Sequence, residues 1–392
     1  MDASLWNIDP SRRYLNHGAF GACPRAVLEE RHRLEMQFER NPLRYIFDRM
    51  EEGLTAARDA LADFTGARRE DLVFVGNATE GVNAVLRSLE FGPGDELLTT
   101  PHAYPGCKIA LYDIAARTGA RVVEAPAPFP VGGPDEILDA VMGAVNERTR
   151  LALIDHVSSE TALIFPVEKL IPTLRERGVK VLVDGAHAPG MLPLDLAGLD
   201  ADWYTGNCHK WICGPKTAAF LVTRPERQEE TRPLITTFGT GFDAPGRSAY
   251  EWRFFWRGTF DATSWLVLPH CLEYMGGLHP GGWDGLRARN HALALQGRDL
   301  LLETLKIPAP APDAMLGSMA TLPIPDHGLG DSEGLFREDR LTRVLSEKHG
   351  IDLPVVQWPR PGIFHLRISA QFYNEYEDYE ALAAALREEL KL

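Results

Sequence analysis

The sequence predicts an α/β fold with a mostly parallel sheet, because short apolar runs alternate with longer helix-like stretches between about residues 70 and 225. Strands of a parallel sheet are buried on both faces, and these runs are accordingly rich in Val, Leu and Ile. Hydrophobic residues make up 45% of the 392 residues and charged residues 24%, which is ordinary for a globular protein and argues against disorder.

Seven runs are predicted to be strands of this sheet, at residues 71–75, 96–99, 121–124, 150–155, 179–184, 202–205 and 218–222. The stretches 79–89, 106–118, 134–146 and 167–177 between them carry apolar residues at three- to four-residue spacing and are predicted to be helices. This order of elements predicts a sheet that is covered by helices on both faces.

The pattern changes after residue 265. A long predicted helix at 283–305 precedes a proline-punctuated segment at 307–325, followed by a strand, a helix, two strands and a final helix at 375–391. We therefore predict a large domain of residues 20–265 and a smaller α+β domain of residues 1–19 and 266–392. The Pro/Gly-rich stretch 324–334 is predicted to be a surface loop near the mouth of a site.

The net charge of −14, from 41 basic and 55 acidic residues, repels nucleic-acid phosphates and anionic lipids and disfavours both as partners. The N-terminus lacks the basic and apolar regions of a signal peptide, and no window holds about 18 uncharged apolar residues. The five cysteines show no zinc-binding spacing, so no metal site is predicted. We expect a cytoplasmic protein that contacts neither a membrane nor nucleic acid.

Lys210 stands out among the eight lysines because of its sequence context. It follows a predicted strand and has His209 beside it, whereas most other lysines lie among the polar residues of predicted helices. Ligands of a doubly wound sheet bind outside the carboxyl ends of its strands. A lysine there can have a lowered pKa and attack a carbonyl as a neutral amine, so we predict Schiff-base chemistry at Lys210.

A predicted apolar strand ends in Asp184, which is followed by Gly185, Ala186 and His187. A carboxylate at this position often only caps the next helix. With a lysine one strand downstream, a second interpretation gains weight, because a buried anion keeps a pyridinium nitrogen protonated and makes the ring an acceptor for electrons from a carbanion. Asp184 is the predicted source of that anion.

The turn at 75–83 leads from a strand through small residues into a helix, and its free N–H groups and the Thr79 hydroxyl could bind a phosphate. Thr79 as a plain helix cap is an equal alternative. His102 or Tyr104 could place an aromatic face on a planar cofactor, and the segment 256–261 offers further phosphate donors. Arg367 alternates with apolar residues on a strand, where its guanidinium needs a carboxylate partner.

Other motifs are disfavoured. Residues 214–217 resemble the end of a phosphate-binding loop, but Pro215 interrupts the required Gly-Lys pair. The sequence has no HExxH zinc motif and no G-x-S-x-G nucleophile turn. The aromatic and basic run at 252–257 is predicted to be a core strand or a wall of a substrate pocket, because the acidic net charge argues against nucleic-acid stacking.

Taken together, five segments resemble the class V aminotransferase family of pyridoxal phosphate (PLP) enzymes, and within it the isopenicillin N epimerase-like branch. These segments are residues 15–21, 77–81, 183–187, 209–210 and 258–261, which occur in the family's order. The likeness extends from Asn16 to Asn374. It implies the fold of fold type I PLP enzymes, with a mostly parallel seven-stranded sheet in the large domain and a smaller α+β domain. It also implies a homodimer with shared active sites.

The resemblance also implies roles for individual residues. Lys210 would form the Schiff base with PLP, Asp184 would contact the pyridine nitrogen, and His187 would lie near the phenolic oxygen. The remaining contacts would come from Ala78, Thr79 and His209 at the phosphate, from Gly258 and Thr259 of a partner subunit, from His102 or Tyr104 on the ring, and from Arg367 with Asn16 at the substrate α-carboxylate. Asn207 stands where relatives often have a serine that binds the phosphate, so its contact is open.

Within this family the activity stays open between several outcomes at the amino-acid Cα. An epimerase or racemase is ranked first on motif similarity and a C–S lyase that eliminates sulfur from a substituted cysteine second, with transamination and decarboxylation as further routes. Cysteine desulfurases of this fold use a cysteine in the small domain, and residues 272–392 contain none. A catalytically inactive binding module is the non-enzyme alternative.

Overall fold

The computed structural model describes residues 3–241, 246–328 and 338–392. Within them the strands are β1 (Arg13–Tyr14), β2 (Leu72–Val75), β3 (Glu96–Thr99), β4 (Arg121–Glu124), β5 (Thr149–Asp155), β6 (Lys180–Asp184), β7 (Trp203–Asn207), β8 (Ala219–Thr223), β9 (Met319–Ile324), β10 (Ile351–Asp352), β11 (Val355–Gln357) and β12 (Phe364–Ser369).

The helices of the described residues include four short ones of four residues each. In chain order they are α1 (His17–Phe20), α2 (Arg25–Arg40), α3 (Pro42–Asp48), α4 (Met50–Thr65), α5 (Ala78–Ser88), α6 (Pro105–Thr118), α7 (Pro134–Gly143), α8 (Val167–Glu176), α9 (Leu196–Leu199), α10 (Pro225–Gln228), α11 (Ala249–Phe255), α12 (Thr263–Leu266), α13 (Leu268–Gly277), α14 (Gly282–Leu305), α15 (Arg340–His349) and α16 (Tyr376–Leu390).

A seven-stranded sheet with the order β2-β8-β7-β6-β5-β3-β4 forms the centre of the large domain. Only β8 runs antiparallel to its neighbours in this sheet, and the other pairs are parallel. One face packs against residues of α5 and α6, such as Val82 and Leu111, and the other against residues of α8, such as Leu170. The predicted α/β fold is confirmed, and each of the seven strands lies within two residues of its predicted bounds.

The C-terminal part forms an antiparallel sheet of order β11-β12-β9, against which α14 packs, with α16 packed on α14 in turn. The N-terminal segment joins this part through β1, which pairs in parallel with β10. Helix α13 packs against α2 and α4 of the large domain, so helical packing on the large domain continues past residue 265. The domain bounds at 265 and 266 stay a prediction. None of the described helices has the length and apolar character needed to span a membrane.

The aromatic and basic run at 252–257 departs from its predicted conformation. Residues up to Phe255 belong to helix α11, not to a core strand. The helix begins with a capping box, in which the Ser248 side chain accepts the N–H of Glu251 and the Glu251 carboxylate accepts the N–H of Ser248. None of residues 252–257 lines the cavity of this chain described below, and their role as a wall of a substrate pocket stays a prediction. Of the predicted surface loop at 324–334, residues 329–334 lie outside the described part of the chain.

Candidate active site

A cavity of about 560 Å³ lies at the carboxyl ends of strands β5, β6 and β7. This is the place where an open α/β sheet binds its ligands, because the loops that follow parallel strands diverge there. The cavity is lined by Gly18, Ala19, Phe20, Asn77, Ala78, Thr79, Tyr104, Asp155, Val157, Ser159, Glu160, Asp184, Ala186, His187, Asn207, His209, Lys210, Val356 and Arg367. Most of the predicted site residues are therefore brought together around one space.

The Nζ atom of Lys210 lies 3.0 Å from Nε2 of His187. The indole N–H of Trp211 donates to Nδ1 of the same imidazole over 3.3 Å, which places the ring proton on Nε2. Burial and the charge of Lys210 lower the pKa of His187 well below its usual value, so the ring stays neutral. Nε2–H therefore donates to a neutral Lys210 amine. Burial also lowers the pKa of Lys210 to about 8, partly offset by the charge of Asp184.

The backbone of Lys210 is held by the N-terminal segment. Nε2 of the buried His17 lies 2.9 Å from the Lys210 carbonyl oxygen, and its Nδ1 lies 2.8 Å from the Tyr373 hydroxyl. Gly21 packs against the same loop with φ +58°, and a Cβ there would collide with the His209 carbonyl oxygen. The motif at 15–21 thus anchors the loop that carries the lysine.

Asp184 ends strand β6 and is almost fully buried. Its Oδ1 accepts the N–H of Ala186 over 3.0 Å, and its Oδ2 accepts the thiol of Cys107 over 3.2 Å. Burial raises the pKa of the Cys107 thiol, and the charge of Asp184 raises it further, so the thiol keeps its proton and remains a donor. The carboxylate is therefore oriented from two sides.

A second carboxyl group, which the sequence analysis missed, faces the cavity beside Asp184. Asp155 ends strand β5 directly opposite Asp184 in the parallel register. It is 3% exposed, and its Oδ2 is buried without a hydrogen-bond partner in the described structure. Burial raises the pKa of Asp155 well above its usual value, and the charge of Asp184 adds to this. Asp155 therefore holds its proton, and Asp184 supplies the negative charge at this end of the cavity.

The opposite end of the cavity is built from the first turn of α5 and the loop after β7. Oδ1 of Asn207 accepts the N–H of Ala78 over 2.8 Å, so Asn207 fixes the start of the helix. The Thr79 amide and hydroxyl have no hydrogen-bond partner among the described residues. Nδ1 of His209 bonds to the Ala218 carbonyl over 3.1 Å and leaves Nε2 for a ligand. These donors at a helix N-terminus suit a phosphate group.

Arg367 of strand β12 reaches the cavity from the small sheet. Its Nη1 donates to the carbonyl and, over 3.3 Å, to the hydroxyl of Ser159, while its Nε is buried without a partner. No Asp or Glu of the described residues forms an ion pair with it, although it is only 5% exposed. A buried guanidinium without a carboxylate is costly, and this one is placed to pair with an anionic ligand.

Four predicted site residues lie elsewhere in this chain. His102 is fully buried outside the cavity lining, with one ring nitrogen 2.7 Å from Oγ1 of Thr161 and the other 3.1 Å from the Ala127 carbonyl. Of the pair His102 and Tyr104, only the Tyr104 ring reaches the cavity. Asn16 precedes α1 with its Oδ1 buried and unpaired, outside the cavity lining. Gly258 and Thr259 also lie outside it, with Thr259 exposed at the surface.

Residues 13–382 match the family model described as Aminotransferase class-V, and the chain belongs to this family. It is 31% identical to the "Probable L-cysteine desulfhydrase, chloroplastic" of Arabidopsis thaliana, over 98% of this chain and 84% of that protein. It is 32% identical to the "Isopenicillin N epimerase" of Amycolatopsis lactamdurans, over 99% of both chains. The resemblance drawn from the sequence motifs is confirmed.

Solved structures share the fold. The complex of the cystine C-S lyase C-DES with its product cysteine persulfide has a TM-score of 0.79 and 23% identity, covering 96% of this chain and 97% of that one. The cysteine desulfurase CsdA from Escherichia coli has a TM-score of 0.78 and 20% identity, covering 99% and 97%. The fold is that of fold type I PLP enzymes, and the chain is a PLP-dependent enzyme.

The residues of the cavity fit PLP. Unpaired donors at the start of α5 suit its phosphate, the carboxylate of Asp184 suits its ring nitrogen, and Lys210 lines the same cavity. Nε2–H of His187, which points at the lysine amine, is a donor for an oxygen on the ring. The two ends of the cavity therefore carry the charges that the cofactor requires.

Proposed function

We propose that this enzyme removes the Cα proton of an L-amino acid and eliminates a sulfur substituent from Cβ, as a C–S lyase. The observation that carries the proposal is the Lys210 amine, which lies 3.0 Å from a neutral imidazole and has a pKa of about 8. About a tenth of an amine with such a pKa is neutral at pH 7 and about half at pH 8, so a usable share of the base is present near physiological pH. PLP, when bound, supplies the aldehyde that takes up the substrate amine and the protonated ring that accepts the electrons of Cα.

The protein side chains have separate tasks in this reaction. Arg367 pairs with the α-carboxylate and orients the substrate, and Asp184 keeps a negative charge beside the ring nitrogen. Lys210 takes the proton from Cα and returns it to the leaving sulfur as the Cβ–S bond breaks and its electron pair leaves on sulfur. With one water, the remaining aminoacrylate gives pyruvate and ammonium, so a substituted cysteine yields a thiol, pyruvate and ammonium.

The relatives support this choice of reaction. A similar protein of Arabidopsis thaliana, 31% identical over 96% of this chain, carries the name "L-cysteine desulfhydrase". A further relative from Schizosaccharomyces pombe is called "Hercynylcysteine sulfoxide lyase", with 23% identity over 97% of this chain. These names describe reactions at sulfur bound to Cβ of a cysteine. Elimination also needs only one base, and Lys210 supplies it.

Epimerisation at Cα is the second candidate, because Tyr104 adds a second proton carrier to the cavity. Its hydroxyl keeps its proton at neutral pH, since burial raises its pKa and the neighbouring Cys107 and Glu160 raise it further. An epimerase must protonate Cα on the face opposite to the base, and a phenol is able to do so. The relatives called isopenicillin N epimerase support this alternative.

We also propose that the active form is a homodimer in which the turn at Gly258 and Thr259 reaches the phosphate end of the partner's cavity. Thr259 is exposed at the surface, and Gly258 before it adopts φ +96°, which a glycine does at little cost. Arg257 anchors its base through an ion pair of 3.1 Å with Glu80. Thr259→Ala should weaken PLP binding without unfolding the protein, and mixing it with Lys210→Ala chains should restore one intact site per dimer.

Incubation with L-cysteine, S-substituted cysteines and L-alanine in deuterated water tests the reaction. Pyruvate from the cysteines, with deuterium at Cα of recovered L-alanine, supports the lyase. Racemised substrate without pyruvate contradicts the lyase and supports the epimerase. Lys210→Ala is expected to abolish both signals, while Lys169→Ala, a surface lysine paired with Asp135, is the matched control and keeps them. Absence of pyruvate, exchange and racemisation in the wild type would contradict both candidates.

A further inference from the structure

Glu160 brings a carboxylate to the cavity that the proposed reaction does not use. It lines the cavity together with Lys210 and Arg367, and its side chain forms no hydrogen bond or ion pair with the described residues. Its backbone is fixed, because its carbonyl oxygen accepts the hydroxyl of Thr321 over 3.0 Å. The preceding residue, Ser159, holds the guanidinium of Arg367. Glu160 therefore directly follows, in the chain, the residue that contacts the guanidinium expected to bind the substrate carboxylate.

The charge of Glu160 acts on groups on different sides of the cavity. Burial lowers the pKa of Arg367, and Glu160 is the main group that opposes this effect. Burial raises the pKa of Tyr104, and Glu160 contributes to the rise together with Cys107 and Asp184. Arg367 comes from strand β12 and Tyr104 immediately precedes α6, so the two groups that Glu160 influences reach the cavity from different parts of the fold.

A bound amino acid changes the charge balance of this space. Its α-carboxylate pairs with Arg367, which leaves Lys210 as the other basic side chain of the lining that can balance the charge of Glu160. Burial disfavours the charged form of Lys210, so this balance is partial. A cationic group on the substrate side chain would complete the pairing, whereas an anionic one would be repelled. The ring of Phe20, which is 67% exposed and lines the same cavity, adds an aromatic face that is suited to a cation.

We propose that Glu160 is a specificity-determining residue that selects amino acids with a positively charged side chain, for the reaction proposed above. The inference rests on that proposed function, because it takes the substrate to be an α-amino acid that is held through Arg367. It adds the chemical class of the group at the end of the substrate side chain, the distal group, which is an ammonium, guanidinium or quaternary ammonium. Both the lyase and the epimerase would share this preference, since the distal group lies beyond the reacting atoms.

The test uses three cysteine conjugates of similar size and different charge with the PLP-loaded enzyme. S-(2-aminoethyl)-L-cysteine is cationic, S-propyl-L-cysteine is neutral and S-carboxymethyl-L-cysteine is anionic. Pyruvate formation gives kcat/KM for elimination, deuterium exchange at Cα reports proton removal alone, and titration of the cofactor absorbance gives Kd. Wild type is expected to favour the cation over the neutral conjugate by about tenfold or more in kcat/KM and Kd.

Two substitutions separate charge from a structural role. Glu160→Gln keeps the shape and should remove the cation preference, and Glu160→Lys should reverse it in favour of the anionic conjugate. Glu176→Gln, at the exposed end of α8 and outside the cavity lining, is the matched control and should leave the preference unchanged. Unaltered thermal unfolding of the variants shows that they fold.

The outcomes distinguish this inference from the proposed reaction. The role of Glu160 is overturned, while elimination stands, by any of three results. The wild type shows no preference for the cationic conjugate, Glu160→Gln keeps that preference unchanged, or Glu160→Gln lowers kcat/KM equally for all three conjugates. Deuterium exchange without pyruvate overturns the lyase, and the order of exchange rates then still decides on Glu160. If the wild type neither binds nor exchanges any conjugate, both proposals are wrong.

Discussion

The titration of Lys210 in the protein without cofactor is the sharpest consequence of the site geometry. Burial lowers its pKa from 10.5 to about 8, and the neutral His187 beside it donates to the amine. At pH 8 about half of the Lys210 side chains are then neutral, against about 0.3% for a lysine with a pKa of 10.5. Lys210 should therefore be roughly two orders of magnitude more reactive than an ordinary amine as judged by its neutral fraction.

Competitive labelling measures this directly. Apoprotein is treated with a trace of isotopic acetic anhydride between pH 6 and pH 10.5, labelling is completed after unfolding, and the Lys210 peptide is quantified by mass spectrometry. We expect the labelling to rise with a midpoint near pH 8. Arg367→Gln should move the midpoint upward, because the Arg367 charge disfavours the ammonium form, and Asp184→Asn should move it downward, because the Asp184 charge favours that form.

Two results would refute this reasoning. A midpoint near pH 10.5 would mean that the ammonium is fully solvated and that burial does not act on it. The midpoint could also lie near pH 8 in the wild type but stay there in both variants, or shift in the direction opposite to the one expected. Either result would mean that the charges of Arg367 and Asp184 do not set the pKa of Lys210. In either case the lysine would not be the neutral base that the proposed reaction requires.

Three further predictions follow from the same cavity. Arg367→Gln should raise KM for the amino acid about a hundredfold in steady-state kinetics, because the α-carboxylate loses a buried charged partner, and an unchanged KM would contradict that role. Asp155→Asn should stabilise the apoprotein increasingly from about pH 4 to pH 7 in thermal unfolding. The raised pKa of Asp155 means that the folded protein binds its proton more tightly than the unfolded chain, so wild type loses folding free energy as pH rises above the pKa of the unfolded chain. A stability difference between Asp155→Asn and wild type that does not change with pH would contradict the raised pKa. Thr79→Ala should weaken PLP binding roughly tenfold or more in fluorescence titrations, through one lost hydrogen bond to a charged group, whereas unchanged affinity would place the phosphate elsewhere.

The sequence was sufficient for the large domain because its strands are buried on both faces. A strand such as Leu97–Leu98 within Glu96–Thr99, or Leu72–Val75, is an apolar run between polar turns, and that pattern locates the strand along the chain. It does not tell parallel from antiparallel pairing, since Leu72–Val75 pairs antiparallel with β8. The helix α11 was mistaken for a strand because aromatic residues dominate it. Ser248 and Glu251 carry the spacing of a capping box, and this signal would have corrected the prediction.

The site was predictable where chemistry is tied to a strand end. Lys210 and Asp184 follow buried strands and meet in one cavity. Asp155 carries the same signal, since it ends the neighbouring strand in register with Asp184, and it was overlooked. Glu160 has no local signal, because its position depends on contacts of the loop with Thr321 and Arg367, which are far from it in the chain.

The choice between His102 and Tyr104 also lay beyond the sequence. The two side chains leave the same loop, and both are aromatic and polar. His102 turns inward because Thr161 and the Ala127 carbonyl satisfy its two nitrogens, while Tyr104, which immediately precedes α6, reaches the cavity. Such tertiary partners decide the direction of a side chain, and no spacing rule contains them.

The central claim is that Lys210 carries the cofactor. PLP-loaded protein is reduced with sodium borohydride, digested and examined by mass spectrometry, with untreated protein as the reference. The account predicts a single modified peptide whose added mass, that of the reduced phosphopyridoxyl group, lies on Lys210. A modification on another of the eight lysines, or none in protein saturated with PLP, would contradict it.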